Sequence, residues 1–236
     1  MEKRLTGFFT SLFVIVLFFG SWSHAVGQNE ELQGLNIQNA ESDSALIYSY
    51  LEAADEARSQ GNIRKLRTIL GEAKRRVYSL ADPHLQQVVE KDLGEYYLET
   101  SSYDSAETIL ESAAERSSDN HTQTQVLNLL ATAYNYQSQY PEAMKTYNRA
   151  LSLVDSLSNP EIYAAINTNK AAIYENIGNT SKAVSLFQKG ISFAEAVEDS
   201  SFLATALNNL GNLYYEQSNY EEAQPYLEEA IAFSEE

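Results

Sequence analysis

The sequence of 236 residues contains no cysteine, only 3 histidines and only 4 prolines. Without thiols, disulfide bonds and the lipid-modified cysteine of a bacterial lipoprotein are both excluded, so buried apolar side chains must hold the fold together. His84 and His121 are isolated from each other in the sequence, and neither a metal site of recognised spacing nor a glycine-rich phosphate loop occurs. We therefore predict no enzymatic activity, no metal and no cofactor.

Basic side chains are also scarce, since 16 Lys and Arg stand against 33 Asp and Glu. Phosphate groups of nucleic acids and anionic lipids are bound through Lys and Arg, and a strongly acidic surface repels them. We predict that the folded part of the chain contacts neither nucleic acid nor membrane. The acidic surface favours solubility and, weakly, a basic or neutral protein partner.

The first 27 residues have the pattern of a secretory signal peptide. Lys3 and Arg4 precede an apolar stretch centred on residues 12–19, and small residues follow it. Cleavage after Ala25 or Gly27 would give an exported protein, periplasmic or extracellular, with residues 28–41 as a flexible leader. The alternative is an uncleaved membrane anchor, because residues 5–22 approach the length that spans a bilayer.

Residues 42–236 repeat with a period of about forty residues. Leu, Gly, Tyr and Ala recur in register and define five units, at about 42–80, 82–118, 120–157, 160–197 and 200–236. The recurring residues, unit by unit, are Ala53, Ala54, Ala57, Ile63, Leu66, Leu70 and Ala73; Leu93, Gly94, Tyr97, Tyr103, Ala106, Leu110 and Ala113; Leu130, Ala131, Tyr134, Tyr140, Ala143, Tyr147 and Ala150; Tyr174, Ala183, Phe187 and Gly190; and Leu207, Leu210, Gly211, Tyr214, Tyr220, Ala223 and Ala230.

Each unit has the pattern of a helical hairpin, because its apolar residues recur at helical spacing on both sides of a short break. The breaks within units fall at 61–62, 101–102, 138–139, 178–179 and 218–219, and helix-start signals such as Asp82 before Pro83 separate the units. This predicts an all-α protein of ten helices, each of about 15–18 residues. Small residues of the two helices are expected to face each other and let the axes approach closely; these are Gly94, Ala131, Ala171 and Gly211 against Ala106, Ala143, Ala183 and Ala223.

These positions resemble the tetratricopeptide repeat family, whose units read Leu-Gly-x-x-Tyr, then Tyr-x-x-Ala and a further Ala. The segment from Leu207 to Ala230 matches this pattern almost throughout, and the long period is similar to that of extended peptide-binding and regulatory members. The resemblance implies an α-α superhelix of about five hairpins with a concave groove that binds a protein or peptide. The family's carboxylate clamp is absent, so a chaperone tail is not the expected ligand.

The sequence departs from this pattern in three places. The first unit has Ala53, Ala54 and Ala57 where Leu, Gly and Tyr are usual, which indicates an end cap. Lys170 takes a Leu position, either with its stem snorkelling along apolar surface or as a cation that faces a partner. The sequence stops at Glu236, inside the last predicted helix, so either a further segment follows, which we expect, or this uncovered helix self-associates.

In the family the first helix of each unit lines the groove, and the resemblance carries this role to polar residues of four units. Asparagine both donates and accepts hydrogen bonds and so suits an extended peptide backbone, although Asn209 is equally suited to brace the neighbouring helix. The predicted groove residues are Lys91, Glu95, Asn128, Thr132, Asn135, Tyr136, Thr168, Asn169, Glu175, Asn176, Asn208, Asn209, Asn212 and Tyr215.

The sequence therefore predicts an exported, non-enzymatic scaffold that holds a peptide or protein partner in this groove. The alternative is a periplasmic sensory domain of a bacterial regulator, such as a histidine kinase or a transcription regulator, with its membrane and output modules beyond Glu236. An enzyme with an unfamiliar site is the third and least supported reading.

Overall fold

The computed structural model describes residues 42–116, 119–154, 160–198 and 200–234. These residues contain ten α-helices arranged as five hairpins. No strand occurs in these residues, so the all-α prediction is confirmed. The predicted signal peptide and leader lie outside them. The helices are α1 (Asp43–Ser59), α2 (Ile63–Leu80), α3 (Pro83–Glu99), α4 (Tyr103–Ala114), α5 (Asn120–Tyr136), α6 (Tyr140–Leu151), α7 (Pro160–Asn176), α8 (Thr180–Val197), α9 (Ser200–Glu216) and α10 (Tyr220–Ser234).

The described residues divide into two compact units, with the boundary in the sequence between Leu85 and Gln86. In the first unit α1 packs on α2 through apolar residues that are fully or almost fully buried, including Ile47 and Tyr50 on α1 and Leu66 and Leu70 on α2. The guanidinium of Arg76 lies over the ring of Tyr50, 5.7 Å from its centroid. Burial of these apolar side chains holds the first hairpin together.

The second unit stacks its hairpins through alanines and large apolar side chains. Ala131, Ala143, Ala171, Ala183 and Ala223 are all at most 1% exposed. Gly94 and Gly211, which were expected to face Ala106 and Ala223, lie directly against leucine side chains. A Cβ on Gly94 would lie 2.4 Å from the Leu110 side chain, and one on Gly211 would lie 2.7 Å from that of Leu227. Each glycine therefore makes room for a leucine one helical turn beyond the expected alanine.

The turn inside every hairpin has the same backbone geometry. One residue with positive φ follows the first helix, and the amide of the next residue donates back to the carbonyl of the residue five positions earlier, as from Gln139 to Tyr134 at 2.8 Å and from Asn179 to Tyr174 at 2.7 Å. The positive-φ residues are Gly61, Ser101, Ser138, Gly178 and Ser218. All five breaks that the sequence predicted within units are confirmed.

Two helices of the second unit are shorter than predicted, since α4 and α6 have 12 residues each. At the end of α4 the carbonyls of Ala113 and Ala114 accept hydrogen bonds from the side-chain amides of Gln87 and Gln123, both at 2.9 Å. Side chains thus satisfy carbonyls that a longer helix would have paired. No helix among the described residues is both long and apolar enough to cross a bilayer.

A buried ion pair joins the two helices of the second hairpin. Glu90 on α3 is 0% exposed, and its carboxylate accepts hydrogen bonds from Arg116 at 2.7 and 3.0 Å, just beyond the end of α4. Two parallel N–H donors fix the geometry of such a pair as well as its charge. The contact fixes how α3 crosses the end of α4.

Candidate partner-binding surface

The first helices of the last three hairpins, α5, α7 and α9, lie side by side, since α7 contacts both α5 and α9. Groove residues that were predicted in three separate hairpins therefore lie on adjacent helices. We use the name first-helix surface for the outward side chains of these three helices, which are Tyr136 on α5, Asn176 on α7 and Asn208, Asn212 and Tyr215 on α9. All five are exposed, so amide and phenol groups face the solvent there.

The two tyrosines of the first-helix surface are each held by a second aromatic ring. Tyr136 is 57% exposed and stacks on Tyr103 with ring centroids 4.8 Å apart, and Tyr215, also 57% exposed, meets Tyr220 edge-on at 5.1 Å. Stacking fixes the ring orientation and leaves one face open. The sequence analysis treated Tyr103 and Tyr220 only as recurring repeat residues. Each begins the second helix of a hairpin, beside the end of a first helix, and this position could have indicated the aromatic contact.

Asn128, Thr132 and Asn169 belong to a hydrogen-bonded cluster within the array. The Asn169 amide donates to the Oδ1 of Asn128 at 3.1 Å, which links α7 to α5, and the Thr132 hydroxyl is 2.9 Å from the Tyr147 hydroxyl on α6. Burial raises the pKa of the Tyr147 hydroxyl. These three residues therefore brace neighbouring helices. The sequence analysis considered this structural role for Asn209 only.

The remaining amide and hydroxyl members of the predicted set are less accessible. Thr168 is 8% exposed and packs against α8, where its hydroxyl oxygen lies 3.0 Å from the position of a Cβ on Gly190. Asn135 and Asn209 are half-buried, and the Oδ1 of Asn135 is buried without a hydrogen-bond partner. Thr168 thus offers little surface to a partner, whereas Asn135 retains an unused acceptor.

The charged members of the predicted set differ in their surroundings. Lys91 pairs with the neighbouring carboxylate of Asp92 at 3.0 Å, and both Lys91 and Glu95 are half-buried. Burial, and then the negative charge of Glu216 on α9, raise the pKa of Glu175 on α7. The first-helix surface is therefore bordered by two carboxylates that repel each other, an environment that favours a basic group from a partner.

A second concave feature, a cleft of about 470 Å³, lies between α4, α5 and α6, and none of the predicted groove residues lines it. Its walls carry charges of both signs, with the carboxylates of Glu111 on α4 and Glu115 just beyond its end, and the cations Lys145 and Arg149 on α6. The Tyr134 hydroxyl donates to Glu111 at 2.7 Å. Sequence reasoning missed this cleft because it followed the first helices alone. The other lining residues are Ala114, Leu130, Glu142 and Thr146.

Lys170, the residue in a Leu position, lies on α7 between α6 and α8. Its ammonium donates to the Asn148 side chain at 2.8 Å. Burial, and then the charge of Lys189, lower the pKa of Lys170. The ammonium thus ends on a side-chain amide of the neighbouring hairpin while its stem lies among the helices. Across the described ranges, no group of three or more His, Cys, Asp or Glu side chains is placed to hold a metal ion.

Stacked helical hairpins with a shared turn geometry and small residues at the crossings define the chain as a helical-repeat protein. A family model of the tetratricopeptide repeat matches residues 85–156 and 162–236, more than half of the chain. The chain belongs to the tetratricopeptide repeat family. This fold is typical of non-enzymatic scaffolds for protein–protein interaction.

Several solved structures are similar to the chain, and all share the fold at low identity. BtubC (BKLC) from P. vanneervenii has a TM-score of 0.68 at 20% identity, over 90% of this chain and 89% of that one. A signal transduction ATPase with numerous domains from Pyrococcus horikoshii, which has a tetratricopeptide repeat sensor, has a TM-score of 0.66 at 21% identity over 81% of this chain and 31% of that one. A kinesin light chain-like repeat protein from Podosopora anserina has a TM-score of 0.62 at 20% identity, over 82% and 97%. None of the curated proteins matches the sequence.

Proposed function

We propose that the protein is a scaffold that binds an extended peptide or a helix of a protein partner on the first-helix surface. The observation that carries the proposal is the exposed set of amides and phenols on three adjacent helices, from Tyr136 to Tyr215. Tyrosine supplies a large contact area at small cost in conformational entropy, and asparagine pairs with both N–H and C=O groups of a peptide backbone.

Two carboxylates that border the first-helix surface, and an unpaired amide oxygen on α5, restrict the kind of partner that we expect. Glu175 and Glu216 repel each other there, so a Lys or Arg of the partner would relieve the repulsion. The buried Oδ1 of Asn135 accepts no hydrogen bond in the described structure, so a peptide N–H that reached it would form one. An unpaired buried acceptor costs free energy that such a hydrogen bond recovers. The partner is therefore expected to be neutral or basic.

Capture of a partner from the exported fraction tests the proposal. The triple variant Asn208→Ala, Asn212→Ala, Tyr215→Ala removes exposed groups from α9 and is expected to abolish capture. The matched control Gln188→Ala, Gln224→Ala, Glu229→Ala removes three exposed side chains from α8 and α10 and should retain it. Capture by the first variant at the level of the control would count against the first-helix surface.

We further propose that the N-terminal 27 residues direct export and are removed, because a basic start, an apolar centre and small residues follow one another there. Mass spectrometry of the protein recovered from the periplasm or medium should find a chain that begins near residue 26 or 28. Recovery of the full-length chain from the membrane fraction would instead support the anchored alternative.

A second candidate function is that of a sensory domain. It is favoured by the similarity to the Pyrococcus horikoshii signal transduction ATPase, of which this chain spans 31% and whose repeats form a sensor. Sequencing the gene downstream of the codon for Glu236 tests it. An open reading frame that continues into a membrane segment and an output module is expected, and an in-frame stop would reject this candidate.

A further inference from the structure

The second helix of the first hairpin, α2, has a charge opposite to that of the chain as a whole. Its sequence contains six Arg and Lys and a single acidic residue, Glu72, whereas the chain has twice as many acidic as basic side chains. Glu72 accepts hydrogen bonds from Arg75 at 3.0 Å and Arg76 at 2.7 Å. Among the described residues, Arg64, Arg67 and Lys74 form no ion pair, so a net positive surface remains.

Five residues of α2 form a continuous line on its outer face, at alternating steps of three and four residues. We call this line the α2 stripe; its members are Arg64, Arg67, Gly71, Lys74 and Tyr78. Arg64 and Arg67 are exposed, Lys74 is half-buried and Tyr78 is 47% exposed. The apolar face of α2 is fully buried through Leu66, Ile69, Leu70, Ala73 and Val77. The stripe lies outside this buried face.

Gly71, at the centre of the stripe, has no explanation in the packing of the described residues. A Cβ at this position would meet no heavy atom within 4 Å, whereas one on Gly94 or Gly211 would collide with a leucine. Glycine in the middle of a helix destabilises it relative to alanine. Its effect here is to leave a flat spot between Arg67 and Lys74 where another backbone can approach closely.

We propose that the α2 stripe is a docking site for an acidic helix of a protein partner. Alternating steps of three and four residues form the seam along which two helices pack, and the missing side chain of Gly71 sets their point of closest approach. Guanidinium groups bind carboxylates through paired hydrogen bonds, and an exposed tyrosine beside arginines is typical of protein interfaces. Because the apolar face of α2 is already buried, the helix has none left to insert into a lipid surface.

Binding of a synthetic peptide to the full chain tests the proposal. The probe is a labelled helical peptide with an alanine seam flanked by glutamates at steps of three and four, and its control has the same composition in scrambled order. The wild type is expected to bind the patterned peptide alone, and less tightly as salt is added. The variant Arg64→Gln, Arg67→Gln should weaken binding about tenfold, whereas Lys145→Gln, Arg149→Gln, which removes two cations from α6, should leave it unchanged.

The variant Gly71→Ala distinguishes docking at the stripe from nonspecific electrostatic attraction, because it leaves the charge of α2 unchanged. The added methyl fills open space in a helix, so the melting temperature should rise by about 2–4 °C. The same methyl lies where the peptide backbone approaches, so affinity should fall about tenfold. A more stable variant that binds less well is the signature of a docking glycine.

Several results would overturn the proposal. The first is that the wild type does not bind the patterned peptide, or binds the scrambled one equally well. The second is that the double variant Arg64→Gln, Arg67→Gln or the variant Gly71→Ala binds the patterned peptide as tightly as the wild type does. Binding to vesicles of phosphatidylcholine with phosphatidylglycerol, but not to the peptide, would assign the stripe to a membrane surface. Dimerisation of the chain that is lost in Arg64→Gln, Arg67→Gln would assign it to a second copy, whose helix α10 carries Glu221, Glu222, Glu228 and Glu229.

Discussion

At the scale of single residues, glycine positions show how the same residue type serves different purposes within one repeat protein. Gly94 sits beneath Leu110, with no room for a Cβ, whereas Gly71 faces open space. The sequence alone shows both as a glycine within a helical pattern. Only the position of the facing side chain distinguishes a glycine that packing requires from one that it does not.

Gly94→Ala is predicted to destabilise the protein. The new methyl overlaps the Leu110 side chain, which must shift within the core between α3 and α4, at a cost of about 1–3 kcal/mol. Thermal or urea unfolding of the variant measures the loss. Gly71→Ala is the matched control, with an expected gain of up to about 1 kcal/mol; a loss of similar size in both variants would contradict the packing explanation.

Glu175→Gln is predicted to stabilise the protein at neutral pH and to have no effect in acid. Burial and Glu216 raise the pKa of Glu175 above its ordinary value of 4.5. The folded state therefore binds the proton more tightly than the unfolded state, and stability is lost as the pH rises through the window from 4.5 to the folded-state pKa. Below that window both states are protonated, so wild type and variant should melt alike.

Melting curves of wild type and Glu175→Gln at a series of pH values check this, because the difference between the two isolates one carboxyl among many. A variant less stable than the wild type at neutral pH would contradict the sign. The variant Glu216→Gln tests the second cause of the raised pKa of Glu175, which is the negative charge of Glu216. It should give a smaller gain, since it removes the neighbouring charge but leaves Glu175 buried.

At the scale of helices and turns, the sequence predicted most of the fold. Repeating apolar spacing and the breaks at Gly61, Ser101, Ser138, Gly178 and Ser218 predicted every helix pair. The early end of α4 was not predictable, because Gln87 and Gln123 reach its last carbonyls from other helices. Tertiary contacts of this kind leave no periodic signal.

The same limit applies to the candidate sites. Position within the repeat identified the exposed Asn212 and Tyr215, but the pattern gave no means to tell that Thr132 bonds Tyr147 or that Thr168 is buried. The α2 stripe was overlooked for a different reason. Net charge was summed over the chain, and this concealed a basic helix within an acidic protein.

Ser138→Gly is predicted to stabilise the turn between α5 and α6. Ser138 has φ of 60°, a conformation that costs an L-residue roughly 1–2 kcal/mol and glycine almost nothing. The larger entropy of glycine in the unfolded chain offsets part of this gain, so unfolding should show an increase of about 0.5–1 kcal/mol. Ser152→Gly, just after α6 and with negative φ, is the control and should not stabilise; an equal gain there would reject the argument from backbone strain.

At the scale of the whole molecule, the family and the function rest on different kinds of observation. The repeat pattern and the family match define a tetratricopeptide repeat protein, and similar structures at about 20% identity add the fold alone. What the protein binds depends on side chains that vary from repeat to repeat. The exposed amides and phenols of α5, α7 and α9 are therefore the residues through which this account is most directly tested.

Site-specific photo-crosslinking in the cells that produce the protein is that test. A photoreactive phenylalanine analogue replaces Asn212 or Tyr215 on the first-helix surface, and Gln188 or Glu229 on second helices in the matched controls, all four being exposed positions. The account predicts a crosslinked protein from Asn212 and Tyr215 and none from Gln188 and Glu229. Crosslinks from the second-helix positions alone would contradict it.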